Sequence, residues 1–521
     1  MEILTSKEME KADAFTINQL GVPSTVLMEH AALAVYNVLE SIDGLDKSKI
    51  ALFIGSGNNG GDGLALSRIL LSNGYNIEII LTSSPENFRG NTKLNYDILL
   101  KYPAIFIDSY LNKKFHLSEY SLIIDAIFGT GLSRSVEGRY KEIIKEINRS
   151  SIFKISVDIP SGLSGMSSAI IGEHVSADIT VTFCRPKILH CLYPARKYCG
   201  KVMVADITIP DFSVTRLDLS TYLVTENNLP LLFKREKDSH KGHFGHAVII
   251  GGSKGKTGAP IMSNMACIRS GAGLTTCVIP GNLNTIFESF VAEAMSFPLG
   301  DCDYFNVYKI EEVLAFLNDK TVCALGPGIG REASTKEFVN KIIENTLIPI
   351  VIDADGVNAL DDKSFEFMRN RSVITPHIGE FARLLKIDKE ELLRDRLDIV
   401  REFSMKNGVV TVLKSADTLI ADPQGLVYVN IMGNTSLAKG GSGDCLTGLI
   451  TGFISQGYNL VDSAILGCYI MGKTGEMLSQ EKNERFIITT DIIHNMWKVF
   501  NEITLHQQQY FRNRKNSIVT I

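Results

Sequence analysis

Short apolar runs that end in glycine or acidic residues recur along the chain, and most lead into a stretch with helical spacing. KIALFI, ending at Ile54, runs into GSGNNGGDG and then LALSRILLSNG, and NIEIILTS, SLIIDAIFGTG and IFKISVDIPSG repeat the strand-then-turn pattern. Such alternation predicts a parallel sheet covered by helices on both faces, with ligands at the carboxyl ends of the strands. After KVMVADITIPDF the pattern fades into the polar, charged LFKREKDSHKGHFG. A second series then begins at HAVIIGG and continues through TVCALGPGIG, IPIVIDADGVNAL, SVITPHIGEFARLL and VVTVLKSADTLIADPQGLVYVN to a helical C-terminal region. The pattern predicts an α/β domain over residues 1–217, a linker over 218–240, a second α/β domain over 241–503, and a frayed polar tail over 504–521. Trp497 and its apolar neighbours are expected in a helix core.

Composition narrows the classes. The 521 residues suffice for two buried cores, and 45% hydrophobic with 21% charged residues is ordinary for α/β proteins. A formal net charge of -5 argues against a general nucleic-acid or membrane-surface binder. The nine cysteines include no C-x-x-C pair and read as small buried hydrophobes. MEILTSKEMEKAD has acids where a secretion signal has bases, and no apolar run approaches a membrane span, so a cytoplasmic location is expected.

In the first half, Gly55, Gly57 and Gly60 satisfy G-x-G-x-x-G, but the next strand end, LTSSPEN, lacks the ribose-binding acid of a dehydrogenase. An anion-binding helix start fits better. Asn58, Asn59 and Asp62 after one strand, Asp125 after another, and Asp158 with Ser161 after a third converge on one rim. Their oxygens suit a hard cation; taken singly, each could equally cap a turn.

In the second half, GSKGKT invites comparison with a P-loop, whose second glycine needs a partner five positions earlier. That position is Ile250, and Gly251 leaves the loop one residue short. AKGGSGDCLTGLITGF is the better phosphate grip. Apolar residues at Cys445, Leu446, Leu449, Ile450, Phe453 and Ile454 mark a helix, so Gly440, Gly441 and Gly443 lie at its N-terminus, where free N–H groups meet phosphoryl oxygens. Asp444 beside such a cradle is placed to deprotonate an attacking hydroxyl, its alternative role being to offset the helix dipole. His240, His243 and His246 lack the partners of a zinc site.

GSGNNGGDG, DAIFGTGLSR and VDIPSGL resemble the N-terminal half of the bifunctional NAD(P)H-hydrate repair enzymes. GGSKGKTGAP, LGPGIG, DADGVNAL, TPHIGEFARLL, LKSADTLIADPQG and GNTSLAKGGSGDCLTG resemble their C-terminal half. The resemblance implies a Rossmann-like αβα domain that epimerises the R and S hydrates, NADHX and NADPHX. It implies a ribokinase-like α/β domain that dehydrates the S form with ADP as phosphoryl donor, leaving AMP and phosphate. In the first domain it places the hydrate against Asn58, Asn59, Gly60, Gly61, Asp62, Gly129, Thr130, Gly131, Leu132, Ser133, Arg134, Ser135, Tyr140 and Asp158, with Asp158 as the catalytic candidate. Potassium would lie on Asn59, Asp125 and Ser161. In the second, Ala259, Gly328, His377 and Asp444 would face the hydrate, while Lys414, Ser415, Ala416, Asp417, Thr418 and Gly443 would hold the adenine nucleotide, with magnesium. Pro260 after Ala259, and Ile378 where proline is usual after His377, depart from the family pattern. A homo-oligomer without nucleic-acid or membrane partners is implied. The competing reading is a ribokinase-like small-molecule kinase carrying a noncatalytic N-terminal ligand-binding domain.

Overall fold

A computed structural model describes residues 1–111, 116–132 and 134–516, and the chain divides into two units, Glu2–Thr221 and Met1 with Tyr222–Ile521. In the first unit seven parallel strands are Ile50–Ile54 (β1), Ile77–Leu81 (β2), Ile105–Asp108 (β3), Leu122–Ala126 (β4), Phe153–Val157 (β5), Ile179–Phe183 (β6) and Lys201–Ala205 (β7). Their order is β3-β2-β1-β4-β5-β6-β7.

Every residue of β1 is buried, because the sheet is covered on both faces. Ile50, Leu52 and Ile54 pack on one side with Leu64 and Leu66, whereas Ala51 and Phe53 pack on the other with Ile143, Ile144 and Ile147. That period-two division explains why the strand is a continuous apolar run instead of an alternating one. The strand order reverses between β1 and β4, the place where open α/β sheets leave a crevice. GSGNNGGDG follows β1 and Asp125 ends β4, so both border that crevice.

The second unit has a ten-stranded sheet built from Thr221–Leu223 (β8), His246–Ile250 (β9), Leu274–Pro280 (β10), Met295–Leu299 (β11), Val322–Leu325 (β12), Ile350–Ile352 (β13), Ser372–Ile374 (β14), Val410–Leu413 (β15), Thr418–Ala421 (β16) and Val427–Asn430 (β17). The order is β11-β10-β9-β12-β13-β14-β15-β16-β17-β8, parallel from β11 through β15 and antiparallel across β15-β16 and β16-β17. Its reversal lies between β9 and β12, the strands followed by GGSKGKTGAP and GPGIG.

Helices Gly258–Ser270 and Ser442–Ser455 press closely together on this sheet. The apolar stripe expected at Cys445, Leu446, Leu449, Ile450, Phe453 and Ile454 is buried. Glycines on the opposing face permit the approach: a Cβ on Gly448 would lie 2.1 Å from the Ser263 carbonyl oxygen, and one on Gly452 would lie 1.9 Å from Ser270 Oγ.

Two details differ from the sequence expectations. The polar C-terminal stretch is helical, within Trp497–Asn516, and residues 517–521 lie outside the described residues. Trp497 is 55% exposed, while Val499 and Ile503 fill the core in its place. All nine cysteines are free and eight are buried. Among the described residues no helix is long and apolar enough to cross a membrane.

Gly448→Ala should lower the thermal midpoint of the second unit, since the added methyl overpacks a backbone contact at a cost of about 1–3 kcal/mol. Calorimetry of the intact protein reads this directly, and an unchanged midpoint would contradict the close packing of the two helices.

Candidate functional sites

In the first unit, Asn58–Asp62 form the first turn of helix Asn58–Ser72, whose N-cap, Gly57, offers no side-chain cap. Steric limits explain the glycines. A Cβ on Gly55 would meet the Ile127 carbonyl at 1.8 Å, and one on Gly60 would meet the Gly55 carbonyl at 2.0 Å. The open N–H groups of this turn are therefore available to an anion. Asn58 is exposed, but Asn59 is buried, with neither amide atom hydrogen-bonded, and it lies against Gly129.

Asp125 is fully buried at the end of β4. It accepts from Ser156 Oγ at 2.8 Å, the Ser161 N–H at 2.8 Å, Ser161 Oγ at 2.5 Å and the Ile127 N–H at 3.3 Å. Burial outweighs these bonds and raises its pKa above the ordinary value. A buried carboxylate short of positive charge, bonded to Ser161, and an Asn59 amide without a partner are the kinds of group that suit a hard cation.

Asp158 has a φ of 64°, a strained region for a residue with a side chain, and its N–H donates to the Val181 carbonyl at 2.8 Å. Its carboxylate accepts from Lys187 Nζ at 2.7 Å and Thr182 Oγ1 at 3.0 Å. Lys187 is 1% exposed and also donates to Thr182 Oγ1 and the Phe183 carbonyl. Burial alone would push the Asp158 carboxyl up, but the Lys187 ammonium offsets it and holds the group below its usual range. Asp62 is pushed the other way, by burial first and then by the charges of Asp158 and Asp13. Asp13, on helix Ser6–Asn18, is raised to about 6, mainly by burial. His190 is driven down to about 3 by burial and by Lys187, so it is neutral. The two carboxyls are thus pushed in opposite directions, Asp158 down and Asp62 up, the pattern expected of an acid–base couple.

Gly129, Thr130, Gly131, Leu132, Arg134 and Ser135 line the loop after β4, and Tyr140 packs its ring 4.9 Å from Phe128. Ser133 lies outside the described residues. Sequence reasoning missed Lys187, Asp13 and Thr182. A lysine inside the apolar FCRPKILHC was the available signal, because an ammonium is buried only with a partner.

In the second unit, Gly441 caps helix Ser442–Ser455 with a φ of 93° and no side-chain cap; the Ser442 N–H turns back to the Lys439 carbonyl at 3.4 Å, which leaves the Gly443 and Asp444 N–H groups at the helix start. A Cβ on Gly443 would stand 3.1 Å from Lys414 Nζ and 3.6 Å from Asp353 Oδ2, which puts that ion pair at the floor of the glycine turn. Asp353 is 1% exposed at the end of β13. It accepts from Lys414 Nζ at 2.6 Å, Thr375 Oγ1 at 2.8 Å and Thr447 Oγ1 at 2.8 Å, joining two further strand ends to the helix. The Asp444 carbonyl accepts from Ser263 Oγ at 2.9 Å, but its carboxyl receives no hydrogen bond among the described residues. Burial, then the negative charge of Asp353, raises it to about 7, with Lys414 pulling the other way. An unengaged carboxyl that titrates near neutrality at the mouth of an anion cradle is suited to take a proton.

His377 caps helix Ile378–Leu385. Its Nδ1 accepts from the Gly379 and Glu380 N–H groups at 2.9 and 3.2 Å, and Glu380 Oε2 accepts from the His377 N–H at 3.0 Å. Because Nδ1 is an acceptor, the neutral ring carries its proton on Nε2, on a side chain that is 55% exposed. His377 is therefore at once a cap and a donor through Nε2, which lies 3.5 Å from Glu380 Oε1. Ile378 starts the helix without disturbing this cap, and Pro260 occupies the first turn of Gly258–Ser270, where proline is tolerated.

Gly328 and Ala259 abut, a Cβ on the first falling 3.0 Å from that of the second. In the Lys414–Thr418 loop, Asp417 is turned inward onto buried Arg396, with which Ser415 also bonds, so its outward face is backbone. Thr418 Oγ1 donates to the Ser415 carbonyl at 3.0 Å, and Ala416 is exposed. Sequence reasoning missed Asp353, Thr447 and Arg396. The acid closing IPIVID was a legible strand-end signal for the first, whereas nothing local marked the other two.

The NAD(P)H-hydrate dehydratase family model matches residues 247–497, and the YjeF-related protein N-terminus model matches residues 24–189. The chain is 34% identical to the bifunctional NAD(P)H-hydrate repair enzyme Nnr of Moorella thermoacetica over 95% of both chains. It is 32% identical to the enzyme of the same name from Thermofilum pendens, over 96% of this chain and 97% of that one. Among solved structures, the ADP/ATP-dependent NAD(P)H-hydrate dehydratase of Bacillus subtilis is 25% identical, covering 52% of this chain and 94% of its own, with a TM-score of 0.46.

The raised Asp444 carboxyl has a stability signature. Its folded pKa of about 7 lies above the ~3.9 of an exposed aspartate, so the folded state holds the proton more tightly. The penalty for ionising it is absent below about pH 4, grows as pH rises, and is complete above pH 7, at most ~4 kcal/mol. Asp444→Asn should therefore gain stability over the parent protein progressively from pH 4 to 7 and hold that gain at higher pH. Denaturant unfolding across this range checks it; a gap that does not change with pH would contradict the raised value.

Proposed function

Because the chain belongs to the bifunctional NAD(P)H-hydrate repair enzymes, we propose that it returns damaged nicotinamide cofactors to use through two separate sites. The first unit epimerises R and S NADHX and NADPHX. The second dehydrates the S hydrate with ADP. The observation that carries the second reaction is the meeting of Asp444, near-neutral in its titration, with the Lys414–Asp353 pair at an uncapped glycine-rich helix start.

Hydroxide is a poor leaving group, and phosphorylation makes its departure easy. Asp444 takes the proton of the ring hydroxyl, and the hydroxyl oxygen bonds to the β-phosphorus of ADP as the bridging P–O bond breaks to release AMP. The C–O bond then breaks with help from the ring nitrogen's lone pair, phosphate leaves with the bonding electrons, and a proton lost from the neighbouring ring carbon forms the double bond that restores the reduced nicotinamide. N–H groups of the Ser442–Asp444 turn and the Lys414 ammonium stabilise charge on the transferred group. Lys414 keeps its proton, since the Asp353 charge and hydrogen bond offset a burial that would lower its pKa. Ser415, Ala416, Asp417 and Thr418 hold the nucleotide with Gly443, while Ala259, Gly328 and His377 Nε2–H hold the hydrate. Where magnesium accompanies the nucleotide, the Asp353 and Asp444 carboxyls are the residues that would hold it, and it would neutralise charge on the phosphates.

At the first site, epimerisation requires a proton to be delivered to the hydroxyl-bearing ring and recovered. Asp62, whose pKa is raised by burial, is the donor, and Asp158, held low by Lys187, the acceptor. The Asn58–Asp62 turn, Gly129–Ser135 and Tyr140 hold the dinucleotide. Potassium on Asn59, Asp125 and Ser161 would stiffen that turn. The protein acts in the cytoplasm as a homo-oligomer in this reading. The kinase alternative has less support, because the repair relatives match both halves end to end.

Purified protein given mixed hydrate epimers and ADP should return the whole pool to reduced nicotinamide, read by near-ultraviolet absorbance. Accumulation of a stable phosphorylated product would favour a kinase. Asp444→Asn should slow dehydration by about 10²–10⁴-fold and leave epimerisation intact, so equal loss of both activities in a folded variant would contradict separate sites. In the parent protein the dehydration rate should fall as pH drops below about 7, because the base must be deprotonated. Epimerisation should depend on potassium in the parent and lose that dependence in Asp125→Ala. Rates in the parent that ignore potassium would remove the ion from the account.

A further inference from the structure

GGSKGKTGAP fails as a P-loop, yet Lys256 is not idle. Its Nζ donates to Asp355 Oδ2 at 2.7 Å, and Arg331 Nε donates to Asp355 Oδ1 at 2.6 Å. Asp355 is 8% exposed, whereas the Lys256 and Arg331 side chains are 48% and 66% exposed. One buried carboxylate therefore anchors two solvent-facing cations, and the spot retains a net positive charge. Among the described residues no other acceptor engages either cation, so the remaining ammonium N–H groups and the forked end of the guanidinium are unsatisfied by protein.

Position gives this arrangement its meaning. Lys256 follows β9, Arg331 follows β12 and Asp355 follows β13, three adjacent strands that all end on the ligand edge of the sheet. A Cβ on Gly328 would fall 3.1 Å from that of Lys256 and 3.0 Å from that of Ala259, so the lysine stands beside the Ala259–Gly328 contact assigned to the hydrate. Arg331 is near enough to Glu380, the partner of His377 in its cap, for that charge to raise the guanidinium pKa, after the larger effect of Asp355. The two cations thus border the hydrate side of the site, apart from the Lys414–Thr418 and Gly443 contacts assigned to the nucleotide.

Exposed ion pairs contribute little to folding, so stability does not explain two cations held on one buried carboxylate. A guanidinium fork beside an ammonium matches the oxygens of a phosphate group. We propose that Lys256 and Arg331 form a phosphate-binding subsite for the dinucleotide hydrate in the second unit. The inference rests on the dehydratase reading above. Two phosphate sources carry this chemistry: the pyrophosphate common to NADHX and NADPHX, and the additional phosphate of NADPHX.

The test is steady-state kinetics of the full chain and of the double variant Lys256→Gln/Arg331→Gln, with the S hydrate of each cofactor and with ADP varied separately. Both side chains are about half exposed or more, so the variant should fold, and its thermal midpoint verifies this. The KM for hydrate should rise about tenfold, with kcat and the KM for ADP changed less than about twofold. A rise with both hydrates identifies the pyrophosphate, and a rise with NADPHX alone identifies the additional phosphate. A hydrate KM unchanged for both substrates, or an equal rise in the KM for ADP, would overturn the subsite while leaving the dehydratase reading intact. If the unsubstituted chain turned over neither hydrate, that reading would fall and the subsite with it.

Discussion

The buried contact between Asp353 and Lys414 is the constraint on which the C-terminal site depends. Neither charge could remain in so dry a place alone, and losing one partner of such a pair typically costs about 3–5 kcal/mol. Three consequences follow from its position. The ammonium is fixed beneath the glycine turn, a side chain on Gly443 would press against it, and the Asp353 charge helps keep Asp444 from ionising until near neutral pH. Thr375 and Thr447 complete the carboxylate's hydrogen bonds, tying strand β14 and the phosphate-binding helix to the same point.

The first unit uses the same device. Asp158 and Lys187 form a buried pair at a strand end, and the pKa of a second acid, Asp62, is raised by burial and by the Asp158 charge. In both units the anchoring aspartate sits at or next to a non-glycine residue with positive φ, Asp158 itself at 64° and Ala354 at 50°. Local strain of this kind persists only where the surrounding contacts fix the backbone. One aspartate clamped to lysine, with a second aspartate whose pKa is raised, is the electrostatic plan common to both units.

Much of this was legible in the sequence because it is local. Apolar runs ending in glycine marked the strands and the loops that follow them, and the spacing after GGSGD marked the helix Ser442–Ser455. The clamps were not legible, because Lys414 lies 61 residues from Asp353 and Thr447 lies 94 residues from it. No periodicity encodes a contact of that separation; only the fold brings those strand ends together. The dual use of His377 was hidden for another reason: capping usually calls for serine, threonine, aspartate or asparagine, and here an imidazole nitrogen accepts the same bonds. At Trp497, helical spacing was right about the helix and silent about which face carries the indole.

The central claim is that the glycine-lined start of helix Ser442–Ser455 holds the phosphates of the nucleotide, with Asp444 beside the phosphorus under attack. A crystal structure of the protein with ADP tests it most directly. The account predicts the β-phosphate oxygens about 3 Å from the main-chain nitrogens of the Ser442–Asp444 turn, with Lys414 in contact and the Asp444 carboxylate facing the phosphorus. A diphosphate bound elsewhere, for instance on Lys256 and Arg331, with that helix start free of ligand, would contradict it.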